Sequence, residues 1–318
     1  MQPNPVSTRI DDILMRDERP DEDVLDAVYL HYRDSHPFLP VTHFVDHSTM
    51  GAEALVALGL GHRVMGWTSH HSVRPYEPPR MGIALPFDWQ DAVGRQDCHG
   101  DWLAYFDSQL SALPFRDVVT SWVERFADDV GTLLFHGLIR TAHAVRALEH
   151  KDTPARRGEL ARGLALWAIG RRSPPAGAAD KEDVPDGTSE IMNCARAGAA
   201  TFVRKSTIPN LHLVTGPMAY LMISHHLAPR VHAIAAAAFR RTHAKAIGSF
   251  ALDARRANAE RNPSLDDRHL EHLADKTDAH PAKLTEAALR AYQTTGDSLF
   301  LKAAARVQDY SLWRAIVG

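Results

Sequence analysis

The 318 residues carry 36 Lys and Arg against 39 Asp and Glu, a net charge of -3, so no basic surface points to nucleic acid as the main partner. Hydrophobic residues make up 45% of the chain, and no run reaches the roughly 18 apolar residues of a membrane span, which leaves a globular composition with no membrane partner expected. Cys98 and Cys194 are too few for a disulfide framework or a thiolate metal site, and Met1-Gln2-Pro3-Asn4-Pro5 lacks the regions of a signal peptide, so a reducing cytoplasm is expected.

Taken in chain order, the pattern predicts helices almost throughout. Residues 21–34 space Val24, Leu25, Val28, Tyr29 and Tyr32 by threes and fours. Residues 48–60 repeat this with Met50, Ala54, Leu55 and Leu58, closing at Gly59 and Gly61. Residues 68–94, with Pro75, Pro78, Pro79 and Pro86, break the pattern. Helices follow at 99–112, 115–127, 129–149 and 156–169, then an exposed connector at 171–187. Further helices are predicted at 188–203, 209–226, 229–249, 265–275, 279–293, 296–308 and 310–316. Ala is abundant and β-branched alternation is rare, which favours helix over strand. No internal repeat is present. The expected fold is one all-α domain, residues 1–318, whose helices surround a polar metal site.

Histidine carries the chemistry. There are 19, and several interrupt apolar helical runs, where an imidazole without a partner costs roughly 1–3 kcal/mol. Imidazole is also the commonest metal-binding side chain. His43 and His47, four apart, are an attractive ligand pair if they share a helix; as an entering loop they do not share a face. His136 and His143 are seven apart, about 10.5 Å along a helix axis. That spacing favours one ligand, His136, with His143 behind it, facing substrate or satisfied in the core. His212 lies near the start of a helix. At the carboxyl end, Pro281 suits a first helical turn and places His280 at the entrance, with Lys283 on the same face. Lys283 either pairs with Glu286, Asp278 or another carboxylate, or is a buried neutral amine able to capture carbon dioxide as a carbamate, an anionic oxygen ligand. The adjacent pairs His70-His71 and His225-His226 read as surface residues. No phosphate-binding glycine loop, nucleophile elbow or HExxH motif is found.

Four motifs in order resemble the questin oxidase-like family: Asp46-His47-Ser48-Thr49-Met50-Gly51-Ala52-Glu53-Ala54-Leu55; His136-Gly137-Leu138-Ile139-Arg140 with His143; His212-Leu213-Val214-Thr215-Gly216; and Asp278-Ala279-His280 with Lys283, Thr285, Glu286 and Ala287. Asp46 stands where the family's run has Asn. The resemblance implies a non-haem iron oxygenase that uses dioxygen on anthraquinone-like or related aromatic polyketide substrates. It implies Fe(II) held by His47, His136, His212, His280 and a carboxylated Lys283, and sets His43 aside. His143 is the expected base, and Asp46 or Asp278 the acceptors that orient the rings. The same donors accept zinc, so a zinc hydrolase or lyase is the alternative reading, and a non-catalytic helical binding protein the third.

Overall fold

The computed structural model describes residues 23–39, 44–86, 89–172, 186–247, 265 and 267–307. These residues form fourteen α-helices and short 3-10 turns, with no sheet; two isolated bridges, Ser35 with Pro75 and Phe38 with Val45, are the extended pairing among them. The all-α expectation is met. The helices are α1 (Val24–His31), α2 (Ser48–Ala57), α3 (Gly61–Thr68), α4 (Trp89–Ala92), α5 (His99–Ala112), α6 (Phe115–Phe126) and α7 (His136–His150). They continue as α8 (Pro154–Gly170), α9 (Gly187–Arg204), α10 (Ile208–Ile223), α11 (Pro229–Ile247), α12 (Asp267–Leu273), α13 (His280–Thr295) and α14 (Ser298–Arg306). Among the described residues, no helix is long and apolar enough to cross a membrane.

Local chemistry sets the boundaries. Thr153 and Thr207 cap α8 and α10, each hydroxyl accepting from a backbone N–H three residues on, with Pro154 and Pro209 in the first turn. Asp186 caps α9 and Asp297 caps α14. Gly296, at φ +66°, ends α13 in the left-handed conformation that costs glycine nothing. Within α10, Pro217 has no N–H to give the Leu213 carbonyl. His243 Nε2 takes that role from α11 at 2.9 Å, so the helix continues without an orphaned acceptor.

Three stretches differ from expectation. The helix predicted over 129–149 begins only at His136, because Leu133, Leu134 and Phe135 all adopt positive φ (48°, 52° and 66°). The helix expected over 209–226 stops at Ile223 and gives way to a 3-10 turn, Ser224–His226. Helix α3 was hidden by its two glycines and few apolar positions, yet buries Val64 and Trp67. The helix predicted at 310–316, residues 173–185 of the connector, and His43 lie outside the described residues.

Helices α2, α7, α10 and α13 form a closed ring in which each packs on the next. Two apolar clusters flank it, one built around Trp102, Trp122, Phe126 and Trp167, the other around Leu55, Trp67, Phe202 and Phe300. Close approach at the ring depends on glycine: a Cβ on Gly137 would lie 2.5 Å from the Trp167 backbone, so α7 and α8 meet nearly backbone to backbone there. All four ring helices, or the residue leading into one, carry a histidine that points inward.

Candidate metal centre

His47 precedes α2, His136 opens α7, His212 sits in the second turn of α10, and His280 opens α13. One nitrogen from each lies within 4.8 Å of the other three. His136, His212 and His280 are buried, and His47 is partly buried. The His47 and His136 rings stack with centroids 4.6 Å apart, and the His280 ring stands edge-on to His47 at 4.4 Å. His47 Nε2 is 2.5 Å from His136 Nε2, which is 3.1 Å from His212 Nε2. The structure brings together the four rings that the resemblance implied.

The outward nitrogens fix the tautomers. His136 Nδ1 donates to the Leu133 carbonyl, and His212 Nδ1 donates to the Ile208 carbonyl at 2.8 Å. His280 Nδ1 donates to Asp278 Oδ1 at 2.6 Å. A carbonyl only accepts, so Nδ1 of His136 and His212 must carry the proton. Burial pushes both rings well below the usual imidazole range, and they are neutral. Their Nε2 atoms then face each other at 3.1 Å as two bare lone pairs with no hydrogen between them. Uncompensated, that contact is repulsive in a buried site; a cation between the rings turns it into two bonds. Four neutral imidazoles are a donor set that fits a divalent transition metal.

The reversal at residues 133–135 serves this geometry. Left-handed residues other than glycine cost about 1–3 kcal/mol each and persist only where their surroundings hold them. Here Phe135 stacks on Phe239 (centroids 5.7 Å) and fills the space left by Gly216, whose Cβ would sit 2.5 Å from the Phe135 ring. The turn aims the Leu133 carbonyl at His136 and makes His136 the first residue of α7.

Lys283 lies one turn into α13 from His280, 1% exposed, and its Nζ has no hydrogen-bond partner among the described residues. Burial pushes its ammonium down to about 7, with the Asp278 charge opposing. Its charge in turn disfavours protonation of all four histidines. The ion pair with Glu286 considered from sequence does not form. Glu286 instead receives Arg146 and Arg290.

Asp278 orients a ring as expected, whereas Asp46 does not. Asp46 Oδ1 accepts from the Ser48 N–H and hydroxyl, at 2.8 and 2.6 Å, and so caps the entrance to α2. His143 stands outside the quartet. Its Nδ1 donates to Glu53 Oε2 at 2.5 Å, and burial lowers the ring's proton affinity although Glu53 opposes this. Arg146 joins Glu53 to Glu286, so three ring helices, α2, α7 and α13, share one buried ionic network. Each of these charges is visible in the sequence, but no spacing rule pairs residues 53, 146 and 286.

A cavity of about 280 Å³ opens beside α7. Arg33, Arg80, Arg140 and Arg162 line it with Tyr76 and His99, against two carboxylates, Asp34 and Asp107. Arg162 Nη1 is buried there without a hydrogen bond, 3.8 Å from Glu159. Ser35 and Arg140 also line a small void of about 10 Å³ that reaches Asp46 and Ser48, the residues on either side of His47. The sequence carried no signal for this arginine-lined space, because its members come from five separate stretches. Comparison with protein-family models finds no match for this chain, and comparison with curated proteins finds none either.

Proposed function

We propose that the chain is a non-haem iron oxygenase acting on anthraquinone-like aromatic compounds, with cleavage of a ring carbon–carbon bond or insertion of oxygen as the outcome. The observation that carries the reading is the histidine quartet, with the outward nitrogens of His136, His212 and His280 tethered and the donor nitrogens converging. His47, His136, His212, His280 and Lys283 would hold iron(II), which would supply the site where dioxygen reacts with an electron-rich carbon.

The chain's own residues do the rest. Lys283 supplies an amine whose nitrogen attacks carbon dioxide and loses one proton, leaving a carbamate as the single anionic donor. Asp278 and the Leu133 and Ile208 carbonyls hold the rings in one tautomer. The arginine-lined cavity suits a substrate that binds as a phenolate or carries a carboxylate. Glu53 and His143 form a carboxylate–imidazole pair in which Nε2 keeps the basic lone pair, and His143 is assigned as the proton acceptor.

The test is metal analysis of the purified chain together with oxygen uptake on a hydroxyanthraquinone. Iron with substrate-dependent oxygen consumption supports the reading. Zinc with no oxygen uptake replaces it with a hydrolase or lyase. A chain that takes up no metal on reconstitution leaves a helical binding protein.

A further inference from the structure

A second convergence of donors lies on the surface, at the far ends of two of the ring helices. Glu149 is the penultimate residue of α7. His225 and His226 form the 3-10 turn that follows α10. Both histidine Nε2 atoms reach the same carboxylate oxygen, Glu149 Oε1, each at 2.7 Å. The two rings lie 4.0 Å apart, and the three donor atoms fall within 4.8 Å of one another. Adjacent residues on an α-helix point about 100° apart and do not share a ligand. The tight turn, closed by Leu227 N–H donating to the Ser224 carbonyl at 2.9 Å, is what lets these two rings meet. Thr120 of α6 fixes the turn by donating to the His226 carbonyl at 3.0 Å. His226 is nearly buried, Glu149 is partly exposed, and His225 faces water.

We propose that Glu149, His225 and His226 form a second divalent cation site, of the two-imidazole, one-carboxylate kind that zinc takes, with its remaining position open to solvent. The placement gives it a role. His136 to Glu149 and His212 to His225 are both separations of 13 residues. Each spans about 20 Å of helix at about 1.5 Å per residue. Helices α7 and α10 therefore run side by side from the histidine quartet to the surface trio. A cation there ties their distal ends together as the quartet ties their origins. The site does not depend on the interior metal or on any turnover.

The test is zinc binding to tag-free full-length protein by equilibrium dialysis and metal analysis. The wild type is compared with the His225→Ala/His226→Ala double variant, with Glu149→Gln and with His212→Ala. Wild type is expected to hold one zinc more than the double variant at micromolar free zinc. Glu149→Gln should weaken that zinc at least tenfold, and His212→Ala should retain it. Zinc should also raise the melting temperature of wild type more than that of the double variant. Equal stoichiometry and equal thermal shifts in wild type and double variant would overturn the proposal while leaving the interior site intact. A difference confined to millimolar zinc would show adventitious binding and overturn it equally. A wild type that holds the surface zinc but takes up no interior metal would count against the oxygenase reading only.

Discussion

Arg146 is the residue whose removal reports most directly on how three of the ring helices are held together. Its guanidinium makes three hydrogen bonds to two buried carboxylates: Nε to Glu53 Oε1 at 2.7 Å, Nη2 to Glu53 Oε2 at 2.5 Å, and Nη1 to Glu286. Arg146→Met keeps most of the side-chain volume and removes the charge. Glu53 would retain His143, and Glu286 would retain Arg290 at 3.0 Å. Neither carboxylate becomes fully unpaired, yet each loses its main counter-charge, and breaking a buried pair costs about 3–5 kcal/mol. The expected loss in urea-unfolding free energy at pH 7 lies in that range. A pH signature goes with it. Burial alone would raise the Glu286 carboxyl, but Arg146 first and Arg290 next bring it down to about 2, from 4.5. A carboxyl lowered in the folded state stabilises the fold above its unfolded value and loses that contribution as pH falls through its folded value. In wild type the loss runs from about 4.5 down to about 2. In Arg146→Met it moves to higher pH, because burial is no longer opposed by the main cation. Adding Glu53→Gln and Glu286→Gln to the variant should restore part of the stability at pH 7. A loss under about 1 kcal/mol with an unchanged acid midpoint would refute the reasoning, since it would mean that the three charges are not coupled.

Four further outcomes are expected. Lys283→Ala should abolish turnover while the far-ultraviolet circular dichroism stays helical; full activity would remove the carbamate. Asp278→Ala deletes the acceptor for His280 Nδ1 and should weaken metal binding about 10–100-fold, measured by competition with a chelator. Gly137→Ala puts a Cβ 2.5 Å from the Trp167 backbone and should cost about 1–3 kcal/mol in urea, with weaker metal binding because His136 is the next residue. Stripping metal with a chelator leaves the His136 and His212 lone pairs opposed, so the melting temperature should fall and recover when the metal is returned.

The legibility of this site in the sequence was uneven, and the reasons are physical. The two-turn separation of His136 and His143 favoured a single ligand, and the structure places His136 in the quartet and His143 against Glu53. Pro281 marked the start of α13 and so the position of His280. The reversal at 133–135 left no trace, because Leu-Leu-Phe carries no glycine or asparagine. Its conformation is imposed by Phe239 and by the space at Gly216, both distant in the chain. Of the readings open for Lys283, an ion pair or a buried neutral amine, the pair with Glu286 does not form. Glu286 is one turn from Lys283, yet Arg146 and Arg290 take it. His225 and His226 read as surface residues one at a time, since Glu149 joins them only in space.

The quartet draws on residues 47, 136, 212 and 280, one from each ring helix or the residue before it. No two of them are close in sequence, so closing the site means closing loops of many tens of residues. Loop-closure entropy must be overcome before such distant contacts repay it. A nascent chain cannot bring the four rings together until residue 280 has left the ribosome. Closure of the quartet therefore waits on residue 280, and fragments ending before it will be unable to complete the four rings.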